Sequence, residues 1–279
     1  MDMISYFFYF SSFYTQLWYN FIMKEIFEKI EVIYEDENIL AISKPVGLMV
    51  HADGKREIPT LVDWILEKYP EIKEVGEPMT INTGEVIWRP GIVHRLDKDT
   101  SGVLLIAKNQ ESFDDLKRQF QERETQKTYR AFVYGNVRYD EKTINTPIGR
   151  SKSDFRRWAT TREIRGEARE AITKYKALIK TDDFSYIEVY PKTGRTHQIR
   201  VHMKYDNHPL VADHLYAGKR FDRENPEKNL FFETQALHAY KIEWNDLEGK
   251  RMEAVAPLPE KFLEAEKILK DKLKEDSIK

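Results

Sequence analysis

From residue 31 onward the chain alternates between short apolar runs and charged turns, and the period of each run indicates the element it forms. EVIY at 31–34 and ILAIS at 39–43 flank the turn Glu35-Asp36-Glu37-Asn38, a strand–turn–strand pattern, and KPVG at 44–47 breaks the chain after it. Beyond Pro59, Leu61, Trp64, Ile65 and Tyr69 recur at helical spacing over 60–69, and Phe113, Leu116 and Phe120 share one helix face within 109–123. VLLIA at 103–107 is apolar throughout and reads as a buried strand. TYRAFVYG at 128–135, ITKYKALI at 172–179, FSYIEVY at 184–190 and ALHAYKIEW at 236–244 alternate as half-buried strands do. The tail, 260–276, is a charged helix with Phe262, Leu263, Ile268, Leu269 and Leu273 as its apolar stripe. Several long strands without regular strand–helix alternation predict an α+β domain around a mostly antiparallel sheet.

The first 22 residues do not share this pattern. They are crowded with Phe and Tyr and carry one charge, Asp2. A secretory leader needs a positive region ahead of its apolar run, and the first lysine here is Lys24. A membrane-spanning helix needs about 20 mostly apolar residues, but Ser5, Ser11, Ser12, Thr15, Gln16 and Asn20 interrupt this stretch. Residues 1–22 are therefore expected to be a non-native or disordered extension, with a weak membrane or partner contact as the alternative, and residues 23–279 to form the domain. No membrane span is expected.

Composition narrows the function classes. The 279 residues are ample for a buried core, and 12 Gly and 11 Pro are too few for a collagen-like or low-complexity chain. The absence of cysteine excludes a disulfide scaffold, thiolate zinc, iron–sulfur clusters and a cysteine nucleophile. The net charge of −2 averages over an uneven chain. Residues 150–176 hold nine basic and four acidic side chains, residues 192–220 six and two, and residues 24–60 five and eight. A polyanion could be held by the basic middle, although charge alone favours a solvated face.

Three clusters carry candidate chemistry. His197, His202, His208 and His214 invite a metal reading, but their spacings of five, six and six do not put them on one helix face. A KTG at 192–194 has no accompanying SxxK, which removes a β-lactamase-like reading. In RPGIVHRLDKDTSGVLLIAK, 89–108, Asp97 precedes Thr100-Ser101-Gly102 and a buried strand, which puts a carboxylate on a loop at a sheet edge. The hydroxyls and glycine would let that loop fold tightly against its own backbone. Arg95, two residues earlier, could place a guanidinium beside a base or phosphate; a structural Asp capping a turn is the plainer alternative. In YPKTGRTHQIRVHMKYDNHPLVADHLYAG, 190–218, Thr196 can cap a short helix carrying Gln198, Arg200 and His202, and Arg195 and Arg200 near a helix start favour anions. In KTYRAFVYG, 127–135, Tyr129, Ala131 and Val133 share one strand face, where a tyrosine is more often packing than catalysis.

Taken together, ENILAISKPVGLMVH, HRLDKDTSG, KTYRAFVYG, PIGR at 147–150, GRTHQIRVHM, HPLVADHLYAG and QALHAYKIEW, in this order over 30–262, resemble the RluA-type pseudouridine synthases. HRLDKDTSG and GRTHQIRVH together are highly specific. The resemblance implies the pseudouridine synthase fold, a mixed, largely antiparallel sheet with flanking helices. It implies isomerisation of uridine in ribosomal or transfer RNA, without metal or organic cofactor. The family's catalytic aspartate falls on Asp97, its aromatic partner on Tyr129, its active-site arginine on Arg200, and the arginine that helps displace the target base on Arg95.

These residue types suit the chemistry. The uracil must be detached from C1′, turned and rejoined through C5, so it has to leave the stack, at a cost of a few kcal/mol. Arg95 would fill the vacated space, Arg200 would pair with and orient Asp97, and Tyr129 would stack on uracil or take the C5 proton. Arg150, Arg156, Arg157 and Arg195 are the expected RNA contacts, with Phe155 and Trp158 as stacking surfaces among them. The region after PIGR normally has Met where this chain has Trp158, which bears on that loop's contacts. Many relatives begin with a small basic RNA-binding domain that the residues before 31 do not resemble, so substrate selection is expected to rest on the catalytic domain. The expected protein is a cytoplasmic monomer whose partner is RNA. The alternative from another class is a catalytically idle RNA-binding module of the same fold; the joint presence of Asp97, Tyr129 and Arg200 favours the enzyme.

Overall fold

Strands β1 (Glu31–Glu35) and β2 (Ile39–Lys44) pair antiparallel around a turn in which Asp36 Oδ1 accepts the backbone N–H groups of Asn38 and Ile39. A short acidic side chain thus replaces the backbone acceptor of a tight turn. The computed structural model describes residues 24–52, 59–80, 84 and 86–278, so the expected extension at 1–22 lies outside the described residues. Among them no helix is long and apolar enough to cross a membrane.

Helix α1 (Leu61–Lys68) buries Leu61, Trp64 and Ile65, and Asp63 accepts the Thr60 N–H at its start. A small hairpin, β3 (Pro78–Thr80) and β4 (Val86–Trp88), leads to β5 (Ser101–Ala107), which is buried at every position. Helix α2 (Gln110–Glu122) is capped by Asn109, whose side chain accepts the Ser112 N–H. There follow β6 (Gln126–Tyr134), β7 (Glu141–Asn145), β8 (Ile148–Ser151), β9 (Trp158–Thr160), β10 (Ile164–Arg169), β11 (Ile172–Lys180), β12 (Phe184–Pro191), helix α3 (Gln198–Tyr205), β13 (Leu237–Asn245), β14 (Arg251–Val255) and helix α4 (Glu260–Ile278).

The main sheet runs β1-β2-β5-β13-β6-β12-β11-β7, with β14 also on β13. All its pairings are antiparallel except β5 with β13. That exception explains Gly102. With φ at 110°, a Cβ there would lie 2.2 Å from the Ala239 carbonyl oxygen on β13. Ser101 and Gly102 therefore open the strand and admit a neighbouring backbone, rather than fold a loop onto itself as expected from the sequence.

The alternation of β6 divides its side chains as the pattern predicts. Ala131 and Val133 join Ile187, Val189, Ile199 and Met203 on one face, with Tyr129 packed against them. Phe132 and Tyr134 lie on the other with Tyr186, Phe232 and the α4 residues Phe262, Ala265 and Leu269. The α4 stripe is thus narrower than expected, since Leu263 and Leu273 are exposed. A second sheet, β10-β8-β9, stands apart from the main one and was not foreseen.

Candidate active site

Asp97 lies just ahead of β5, on a loop held from beneath by Lys44. The Lys44 ammonium is fully buried and donates to the carbonyls of Pro45 (2.8 Å), Leu48 (2.8 Å) and Lys98 (3.1 Å). Burial pulls its pKa down to about 7 against the opposing charges of Asp99 and Asp97, while three carbonyl acceptors match the three N–H bonds of a charged ammonium. The Thr100 N–H closes the loop onto the Asp97 carbonyl at 3.1 Å.

Arg200, on the first turn of α3, lies 103 residues away in sequence and donates from Nη1 to Asp97 Oδ2 at 3.2 Å. Its Nε and Nη2 donate to Asp213 at 2.7 and 2.9 Å. Burial disfavours the Arg200 charge, but the hydrogen bonds and charge of Asp213, with that of Asp97, outweigh it and raise the pKa. The guanidinium also sits 5.1 Å over the Tyr216 ring. Asp213 and Tyr216 were not singled out from sequence; they stand within HPLVADHLYAG, where an acidic residue beside a basic helix was the available signal.

Tyr129 is half-buried between two apolar clusters, and burial, then the charge of Asp97, raises its pKa. It holds its phenolic proton firmly. Thr196 does not cap α3 as expected; His197 occupies the cap position in the left-handed region (φ 55°, ψ 19°), without a side-chain capping bond. The other histidines of that cluster serve separate ends. His202 bridges Thr173 Oγ1 and the Thr146 carbonyl, His208 meets the Tyr134 carbonyl, and His214 meets the Glu233 carbonyl.

Asp97, Tyr129, Arg200, Arg95 and Arg195 all line one open cleft of about 770 Å³. Eight Arg and Lys side chains border it (Arg89, Arg95, Lys117, Arg123, Lys127, Lys192, Arg195 and Arg200) against Glu77 and Asp97. Such a cleft concentrates positive potential where a polyanion would enter. Arg89, Lys117, Arg123 and Lys127 were missed from sequence because they are scattered along the chain and form no local run, and Lys192 was counted only within the basic 192–220 segment. A smaller hollow of about 310 Å³ shares Arg95, Asp97, His197 and Arg200 with the cleft. Arg95 is exposed, with its Nη1 3.0 Å from His51 Nε2.

The remaining expected contacts lie elsewhere. Arg150, Arg156 and Arg157 do not line the cleft but belong to the β8–β9 hairpin, where Arg156 and Arg157 pair with Asp154 at 2.8 and 3.4 Å. Trp158 departs from the expectation of a free stacking surface: it packs against the cluster containing Tyr216, and the Arg150 guanidinium covers its ring at 4.6 Å. Phe155, 76% exposed, keeps its ring free.

Comparison with known proteins identifies the family. Residues 38–205 match the RNA pseudouridylate synthase family. The chain is 36% identical over 236 residues to an uncharacterized RNA pseudouridine synthase, YlyB, of Bacillus subtilis, covering 84% of this chain and 71% of the relative. It is 36% identical over 234 residues to ribosomal large subunit pseudouridine synthase D of Borreliella burgdorferi, covering 84% and 67%. The structure of human RNA pseudouridylate synthase domain containing 4 superposes with a TM-score of 0.67 at 23% identity, over 91% of this chain and 98% of that one, and shares the fold. The chain belongs to the RNA pseudouridylate synthase family. It is an RNA pseudouridine synthase, an isomerase.

Proposed function

We propose that the chain isomerises uridine in ribosomal RNA, with Asp97 as the reacting carboxylate, Arg200 as its fixed partner and Tyr129 as the surface against which uracil stacks. The observation that carries this reading is the hydrogen bond from Arg200 to Asp97 at the wall of a cleft bordered by eight cations. The C1′–N1 bond breaks, uracil turns, C1′–C5 forms, the C5 proton passes to water and N1 takes one up, so substrate and product are isomers. Asp97 supplies the carboxylate; Arg200, itself held by Asp213, keeps it aimed. A phenol held neutral stacks on uracil and donates a hydrogen bond better than it accepts the C5 proton, so Tyr129 is read as a positioning surface. Arg95 enters the stack vacated by the extruded base, offsetting part of the few kcal/mol of unstacking. Arg195 holds phosphate at the cleft, and Arg150, Arg156 and Arg157 hold more distant RNA from the hairpin. The catalytic unit of this reading is residues 23–279.

The ribosomal choice is supported by similarity to relatives named for the large ribosomal subunit. Tritium release from RNA carrying 5-tritiated uridine tests both parts. Wild-type protein is expected to release tritium from large-subunit ribosomal RNA and not from transfer RNA; release from transfer RNA alone overturns the substrate. Asp97→Asn is expected to release none while binding the same RNA with similar affinity and melting close to wild type. Appreciable turnover by that variant, free of wild-type protein, removes Asp97 from the chemistry.

A further inference from the structure

His197 occupies a conformation that L-residues adopt at a cost, at a helix start where an ordinary cap would have been available. The left-handed turn directs its ring inward, leaving the side chain 16% exposed. Nδ1 lies 2.8 Å from the Tyr216 hydroxyl, and Nε2 lies 3.9 Å from Asp97 Oδ2. The Tyr216 hydroxyl accepts the Trp158 N–H at 2.9 Å. Burial, chiefly, pushes the Tyr216 pKa up to about 12, so its hydroxyl has a proton to give. Donation to His197 Nδ1 satisfies both groups, and the ring hydrogen then resides on Nε2, facing Asp97.

We propose that His197 is a positioning residue for Asp97: its Nε2–H and Arg200 Nη1 converge on the same oxygen, Oδ2, and leave Oδ1 as the oxygen presented to the uridine. The inference rests on the reading of Asp97 as the reacting carboxylate. Among the described residues no hydrogen bond is made to Oδ1, whereas Oδ2 has a donor at 3.2 Å and a second nitrogen at 3.9 Å. The longer separation becomes a hydrogen bond with about 1 Å of closure, as catalytic contacts do when substrate arrives. Burial, chiefly, lowers the ring's pKa, with Arg200 and Arg95 acting the same way against the raising charges of Asp97 and Asp213, which favours the neutral donor. The chain from the Trp158 backbone through Tyr216 to His197 also ties the β9 strand to the carboxylate, giving the partly buried Trp158 a place in the site's support.

Three measurements test this. His197→Leu removes the donor and is expected to lower kcat on the order of 10- to 100-fold while leaving KM for RNA near wild type. His197→Gln places an amide nitrogen where Nε2 stood and is expected to restore most of that loss. Nitrogen NMR on the wild-type protein labelled in histidine is expected to show His197 protonated on Nε2 and bare on Nδ1, a readout independent of how the variants fold. Wild-type kcat in His197→Leu, a Gln variant no better than Leu, or a hydrogen on Nδ1 overturns the proposal. Inert Asp97→Asn beside fully active His197→Leu overturns this inference alone; active Asp97→Asn overturns the reading beneath it.

Discussion

Arg200 gives one nitrogen to Asp97 and two to Asp213. The second aspartate is fully buried and fixed in turn, because its Oδ1 accepts the backbone N–H groups of Leu215 and Tyr216 at 3.0 and 3.2 Å. A planar guanidinium gripped by two of its nitrogens has no freedom left for the third, so Asp213 decides where Arg200 meets Asp97.

Asp213→Ala is therefore expected to leave Arg200 buried with only Asp97 to offset its charge, and to cost up to about 3–5 kcal/mol of stability, read by denaturant unfolding. Arg200→Lys keeps the charge but not the fork, and turnover is expected to fall at least tenfold with RNA affinity nearly unchanged. A fully active lysine variant would show that charge alone suffices at this position.

The hairpin offers a second expectation. Arg150, Arg156 and Arg157 stand outside the cleft, beside the exposed Phe155 ring. Replacing the three with Ala should weaken RNA binding and flatten its salt dependence, by up to about 0.7–0.9 in slope for each phosphate no longer neutralised. Melting should change little, since Arg156 is solvent-exposed and paired with a neighbour two residues away. Equal affinity and slope in the triple variant would return the segment to a solvated face.

How far the sequence could be read depended on what holds each element. Strands such as β5, β6 and β12 are held by burial, and burial leaves an apolar signature that the pattern showed. β10 is exposed at five of its six positions, so hydrogen bonding to β8 rather than a buried stripe fixes it, while β8 and β9 are mostly buried but too short to show a period. Nothing in the periodicity of IRGEAR could reveal that. Within the site, Asp97 and Arg200 stand 103 positions apart, and residue chemistry alone left Asp97 no better than a turn cap; similarity to a family joined them. Asp213, His197 and Tyr216 escaped because their value lies in contacts across elements. His197 further contradicted local reasoning, since Thr196 was the better capping residue and the chain does not use it.

Lys127 supplies a pH-dependent expectation. It lines the cleft, its ammonium lies 5.6 Å over the Phe120 ring, and burial pulls its pKa down to about 8. As pH rises from 7 to 9 the cleft loses this charge, so RNA affinity should fall, and Lys127→Met should remove that part of the dependence. Folding runs the other way. The unfolded chain binds the extra proton between about 8 and the ordinary 10.5, so the stability contribution rises as pH climbs through that window. An affinity that falls equally with pH in wild type and Lys127→Met would show that Lys127 does not meet the RNA.

The last expectation concerns acid. His94 accepts the Leu105 N–H on Nε2 at 2.9 Å and stacks on Phe120 at 4.6 Å, so it must be neutral for the β5 contact to exist. Burial pulls its pKa down to about 3, and burial likewise pulls His238, beside Ser101, down to about 4. In the unfolded chain both titrate near the ordinary value of 6.5, so below that pH the unfolded state binds the protons that the folded state refuses. Stability is then fully present above about 6.5 and declines as pH falls, by roughly 2 kcal/mol per histidine at pH 5. The decline should begin before the carboxylates contribute, because Glu35 and Asp36, held below their usual range when folded, cost stability only as pH falls toward their unfolded values of 4.5 and 3.8. His94→Gln keeps an acceptor oxygen for the Leu105 N–H and cannot titrate; whatever its melting temperature at pH 7.5, its decline towards pH 5 should be shallower than that of wild type. Thermal melting of both proteins across this range decides the matter, and parallel curves would assign the acid sensitivity to groups other than His94.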